Sequence, residues 1–186
     1  MTWTIDQAHT NLGFSVRHMG LSTVRGKFTR FSGTIDLDPI DLNRATGEVE
    51  IEAASIETGQ ADRDTHLKSA DFFDVDKFPK ITFKAKRVSG SGDSLKVTGD
   101  LTIKDVTREV EFDYEHAGEG QDPYGNRKVG GALTGSINRG DFGLTWNVAL
   151  EAGGLLVSDK IKIEVEGQLA ESREAIEREV PAEAAV

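Results

Sequence analysis

The chain has 186 residues, no cysteine and a formal net charge of −10, from 32 acidic against 22 basic residues. The missing cysteines exclude disulfides, thiolate zinc sites and a cysteine nucleophile. The charge speaks against nucleic acid as the main partner, and against docking on an anionic lipid surface through a basic patch.

One domain with a sizeable core is expected at this length. The opening MTWTIDQAHT shows no basic n-region leading into an apolar run, and no stretch reaches the ~20 apolar residues needed to span a bilayer. A soluble, cytoplasmic protein with no transmembrane segment is the expectation.

Most of the chain alternates with period two. Leu12, Phe14, Val16 and His18 share one parity, against Gly13, Ser15, Arg17 and Met19. In Thr23–Asp38 the apolar parity switches from Val24, Gly26 and Phe28 to Phe31, Gly33, Ile35 and Leu37, which requires a bulge or bend near Thr29–Arg30. Gly47–Ser55 sets Val49 and Ile51 against Glu48, Glu50 and Glu52.

Asp62–Phe83 is the one long interruption. Asp62 reads as the cap of a short helix, which ends before Pro79. Strands then resume with Ile81 and Phe83; Leu95, Val97, Gly99, Leu101 and Ile103; Val110, Phe112 and Tyr114; Val129–Ile137; and Ile161–Leu169. Turns at SGSGDS and DPYGN separate them. Asn138–Asn147 is irregular, with one helical turn capped by Asp141 expected.

Strands with one apolar and one charged face pair antiparallel, and closure removes their exposed edges. The expected fold is all-β: an extended eight-stranded antiparallel lipocalin-like barrel over residues 1–169, with a short helical covering segment. Residues 170–186 carry five Glu and read as an acidic, flexible tail or frayed helix.

Gly33, Gly99, Gly131, Gly135 and Gly167 all fall on apolar parities. They let a curved wall bend, leave room along the axis, or do both. If a cavity exists, its expected lining is Phe14, Val16, Phe28, Val49, Ile51, Phe83, Val97, Leu101, Phe112, Leu133, Ile137, Ile163 and Val165. Such a wall suits a long apolar guest.

His18 closes an apolar strand face, and it reads either as a hydrogen-bonded structural residue or as a headgroup contact. Arg63 and Arg139 sit in the irregular segments, where exposed ion pairing is the default and contact with an anionic headgroup the alternative. For Arg139 a local pairing with Asp141 is a further reading. Trp3, Trp146 and Tyr124 read as core or rim residues. No HxH, HExxH, G-x-S-x-G or P-loop pattern occurs, so no metal, cofactor or catalytic constellation is expected.

Five stretches together resemble the YceI-like polyisoprenoid-binding family. They are Asp6–His9 leading into Phe14–His18; Arg63–Leu67 with Asp71–Asp74; Phe78–Phe83; Gly99–Lys104; and Asn138–Arg139 with Asp141–Gly143. Thr10 and Asp105 depart from the family's usual Ser and Gly. The resemblance implies a lipocalin-like barrel with a long apolar pore, an amphiphile bound inside it, and homodimer formation.

The expected function is therefore to bind, store or carry an isoprenoid quinone, polyprenyl phosphate or fatty-acid derivative, with His18 and Arg63 as headgroup contacts. The alternatives are an enzyme acting on a lipid in the same pore, with His18 as acid or base, and a ligand-free interaction module.

Overall fold

The computed structural model describes residues 1–172. Eleven strand segments form one antiparallel sheet. They are β1 (Thr2–Ile5), β2 (Asn11–His18), β3 (Ser22–Phe28), β4 (Phe31–Asp36), β5 (Thr46–Glu52), β6 (Ile56–Glu57), β7 (Lys80–Ser91), β8 (Ser94–Ile103), β9 (Val106–Gln121), β10 (Arg127–Asn138) and β11 (Val157–Glu171).

Six of these segments join in pairs. β1 and β2 lie end to end, as do β3 with β4 and β5 with β6, because β1 pairs β4 while β2 pairs β3, and β3 pairs β6 while β4 pairs β5. Eight strands result, each bonded to the next in sequence. β11 then pairs with both β1 and β2 and closes the barrel. The expected barrel is the observed one.

The parity switch at Thr29–Arg30 is the break between β3 and β4. A break strands backbone donors, and the buried Ser55 hydroxyl accepts both: Thr29 N–H at 3.2 Å and Arg30 N–H at 3.1 Å. Ser55 in turn donates to Glu52 O at 2.7 Å, so the β5–β6 break is fixed by the same side chain.

The β1–β2 junction is a short 3₁₀ turn over Gln7–His9, fixed by Asp6. The carboxylate accepts from Ala8 N–H at 3.2 Å and from Lys128 Nζ of β10 at 2.7 Å, and it sits 3.0 Å from His9 Nδ1. Lys128 foremost, and His9 after it, hold the Asp6 carboxyl below its ordinary value of 3.8 against the opposing effect of burial.

A lowered folded pKa stabilises above the unfolded value and is lost as pH falls through the folded one. Lys128→Met is thus expected to cost about 1 kcal/mol at neutral pH. The difference from wild type should shrink as pH drops below 3.8. Urea titrations across that range check it.

The helix α1 spans Ala61–Lys68, and here the expected cap fails. Gln60 occupies the cap position without a side-chain bond, and Asp62 lies inside the first turn. Asp64 does the anchoring instead, accepting from Thr58 N–H at 2.9 Å and Thr58 Oγ1–H at 2.6 Å. Likewise Asp141 caps nothing: the 3₁₀ turn Arg139–Phe142 follows Asn138, which makes no side-chain cap bond.

β1, with the fully buried Trp3, adds a strand segment that the alternation did not reveal. Tyr124 is 88% exposed at a hairpin tip and belongs to neither core nor rim. β11 continues to Glu171, two residues into the stretch read as tail, and Ala170 pairs with Thr4. Residues 173–186 lie outside the described residues.

Candidate functional site

A cavity of about 410 Å³ fills one half of the barrel and a second of about 230 Å³ the other. Ile5, Thr10, Val49, Phe83, Leu133 and Val165 line both, so the two meet at a collar of these six residues. The inward side chains of β2, β10 and β11 (Leu12, Phe14, Val16, Leu133, Ile137, Ile161, Ile163 and Val165) are only half-buried although they face inward. A filled barrel would bury them; this wall faces open space.

All fifteen residues expected to line a cavity or meet a headgroup lie on these walls. Phe14, Val16, His18, Phe28, Ile51, Arg63, Leu101, Phe112, Ile137 and Ile163 line the larger cavity, Val97 the smaller, and Val49, Phe83, Leu133 and Val165 both.

The inner-face glycines leave no empty space, and two of them mark bends: Gly131 sits at a register shift against β9, and Gly99 opposite the one in β7. A Cβ on Gly99 would strike the backbone carbonyl of Lys84 and then the Phe83 ring, on Gly131 the Tyr114 ring, on Gly135 the Phe112 ring, and on Gly26 the Phe14 ring. On Gly33 it would meet Ile5, and on Gly167 Thr10. Gly26, Gly99, Gly131 and Gly135 each let a neighbouring ring lie against the wall, the cross-strand cover of glycine by an aromatic ring, while Ile5 and Thr10 cover Gly33 and Gly167. The bore stays open because its aromatics are recessed.

The larger cavity is covered by α1, residues 69–79 and residues 139–156. His66 meets Phe72 and Trp146 edge-on, with centroids 5.1 and 4.7 Å away, and Phe73 packs edge-on against Phe28 of the wall at 5.9 Å. The far end closes on Trp3, Leu37 and Val129, with Leu42 and Ala45 packed against them. Trp3 Nε1–H donates to Leu37 O at 3.0 Å.

Charge is confined to one end. No Asp or Glu lines either cavity. Arg17, His18, Arg63, His66 and Arg139 all line the larger cavity, and no Lys or Arg lines the smaller. Arg17 is exposed and His18, Arg63 and His66 half-buried, so the cavity reaches the surface there.

Their bonding separates their roles. Arg139, 3% exposed, is a backbone clamp: Nη1 donates to Leu144 O at 2.6 Å and Trp146 O at 2.9 Å, Nε to Ser158 O at 3.0 Å, and Nη2 to Val157 O at 3.4 Å. Its ion pair is with Asp159 at 3.7 Å, not with Asp141. The exposed pairing expected for it is thereby corrected. His66 Nε2 lies 2.8 Å from Asp71 Oδ2.

Arg63 donates through Nε to Thr58 Oγ1 and through Nη2 to Thr58 O, both at 2.7 Å, which orients the fork and leaves Nη1 without a hydrogen bond to the described residues. The His18 ring makes no hydrogen bond to the described residues. Among the described residues no group of three or more His, Asp or Glu is arranged to hold a metal ion.

A closed meander with a hollow apolar bore and one covered polar end defines a lipocalin-like barrel. The chain belongs to the family described as the YceI-like domain, which matches residues 3–169. A UPF0312 protein of Staphylococcus aureus (strain MSSA476) is 40% identical over 169 residues, covering 90% of this chain and 96% of that one.

Among solved structures, the Campylobacter jejuni YCEI protein superposes with a TM-score of 0.74 at 34% identity, covering 91% of this chain and 97% of its own. A polyisoprenoid binding domain from Saccharophagus degradans, implicated in plant cell wall breakdown, shares the fold at a TM-score of 0.66 and 15% identity, over 92% and 98% of the two chains. No helix among the described residues is long and apolar enough to cross a membrane.

Proposed function

We propose that the protein binds a long-chain apolar amphiphile, an isoprenoid or acyl lipid, with its chain in the bore and its headgroup at the α1 end, and stores or carries it without chemical change. The observation that carries this reading is the bore itself: two joined apolar cavities with no carboxylate on their walls, in a chain of net charge −10. The domain name of the Saccharophagus degradans neighbour supports the ligand class.

Each methylene withdrawn from water contributes roughly 0.8 kcal/mol gross. A chain that fills both cavities therefore binds well even after ordering costs. The oriented fork of Arg63 and the unbonded ring of His18 favour an anionic head, such as a polyprenyl phosphate or a fatty acid, over a neutral quinone.

Native mass spectrometry of protein from its own host, followed by extraction and identification of the bound molecule, tests this. A stoichiometric isoprenoid or acyl lipid is the expected result. An empty, monodisperse protein that also ignores added quinones, polyprenols and fatty acids would overturn it. Arg63→Met is expected to weaken a fatty acid about tenfold while leaving its alcohol analogue almost unchanged, read by displacement of a fluorescent polyene.

A further inference from the structure

The mouth of the larger cavity is bordered by apolar side chains that cover nothing. Leu21 is 78% exposed, Leu155 50%, Val148 45% and Met19 43%. They come from the β2–β3 tip and the loop before β11, which the backbone ties together. Met19 N–H donates to Leu156 O at 2.8 Å, and Leu156 N–H to Val148 O at 2.9 Å.

The tip is held in shape. Met19 and Gly20 are left-handed, at φ 54° and 67°. Arg17 Nη2 donates to Gly20 O at 2.9 Å, and Leu21 N–H to His18 O at 3.0 Å. A non-glycine residue in that region is uncommon and persists where its surroundings fix it. Here the surroundings fix an apolar side chain outward.

The charge beside this patch differs from that of the chain as a whole. Residues 7–35 contain no Asp or Glu and carry Arg17, Arg25 and Lys27, with Arg30 paired to Glu52. The register puts Arg25 and Lys162 on either side of Ser15. Of the nearby carboxylates, Asp159 pairs with Arg139 and Glu164 with Lys162 at 3.0 Å, while Glu57, opposite Lys27 in register, and Glu151 are exposed. Charges more than about 8 Å apart are largely screened at physiological salt, so Arg17 and Arg25 bear more on what approaches the tip than the net charge of the chain does.

We infer that the β2–β3 tip and the Val148–Leu155 loop form a docking surface for an anionic lipid bilayer. Leu21, Met19 and Leu155 enter the interface while Arg17 and Arg25 meet its headgroups. The patch adjoins His18, Leu156 and Val157 of the cavity wall, so a docked barrel presents its mouth to the bilayer. A two-fold pairing of two copies through the same tip would set their basic groups against each other, which disfavours a dimer here.

Flotation with phosphatidylcholine vesicles, with and without phosphatidylglycerol, tests this. The protein is expected to float with the phosphatidylglycerol vesicles, less as salt rises. Leu21→Asp with Leu155→Asp should weaken binding at least about tenfold. Both sites are exposed, so an unchanged circular dichroism spectrum and retained uptake of a polyene fatty acid would show the variant's fold and bore intact.

Wild-type protein that stays with the aqueous phase, or a variant that floats equally well, overturns the inference. So does a solution dimer that Leu21→Asp dissociates. The docking proposal does not rest on what fills the bore: protein that floats but takes up no amphiphile refutes only the carrier reading.

Discussion

Arg139→Ala is expected to cost about 3 kcal/mol or more, because a charged donor bonded to buried backbone carbonyls is removed with no replacement. Leu144 O and Trp146 O, 2.6 and 2.9 Å from Nη1, and Ser158 O at 3.0 Å would lose their donor together. Burial pushes the guanidinium pKa down, with Asp159 opposing. The group nevertheless stays charged at any working pH, and this stability should not vary with pH near neutrality.

Arg139→Lys should recover little, since one ammonium cannot span acceptors arranged around a planar fork. Thermal unfolding measures the loss. The fluorescence of Trp146, one of two tryptophans, would report earlier loosening of the cover if residues 144–157 give way first. A variant within about 1 kcal/mol of wild type would show that water can replace the clamp.

The second large effect concerns chain length. Leu133 stands in the collar between the cavities, opposite Val165 on β11 and Tyr114 on β9. Leu133→Trp fills the passage with a ring and leaves the larger cavity and its polar end in place. Amphiphiles long enough to need both cavities should then bind worse, and short ones as before.

If about six methylenes are turned out of the smaller cavity, the gross loss is about 5 kcal/mol, on the order of a thousandfold in affinity. A homologous series of fatty acids would show affinity rising with length in wild type and reaching an early plateau in the variant. Parallel curves for the two proteins would place the ligand outside the bore.

Much of the barrel was legible because alternation has a period, and a period assigns each side chain a side. That is why Phe14, Val49, Leu133 and Val165 could be placed on the inner wall from their neighbours alone. Trp3 escaped because a segment as short as Thr2–Ile5 carries too few alternations to read.

Leu67, Phe72, Trp146 and Leu156 reach the larger cavity from segments that do not alternate as strands do. Their inward turn depends on tertiary packing that only coordinates display. The same holds for Arg139: its carbonyl partners are backbone atoms, which no sequence pattern advertises. The glycines were singled out correctly as wall positions, but their purpose lay in a ring or side chain beside each.

The seam between the N-terminal strands and β11 has a consequence for how the chain folds. Seven of the eight neighbouring pairings join successive strands, and a hairpin meander of that kind can grow as it emerges from the ribosome. The eighth joins Trp3 to Glu171 and Phe14 to Ile163, across almost the whole chain. Until β11 arrives, β10 and the β1–β2 strand are both unpaired edges, open to any other strand. Closing so long a loop is the slow, entropically expensive step. Chains cut short before Val157 should therefore aggregate rather than persist as smaller barrels.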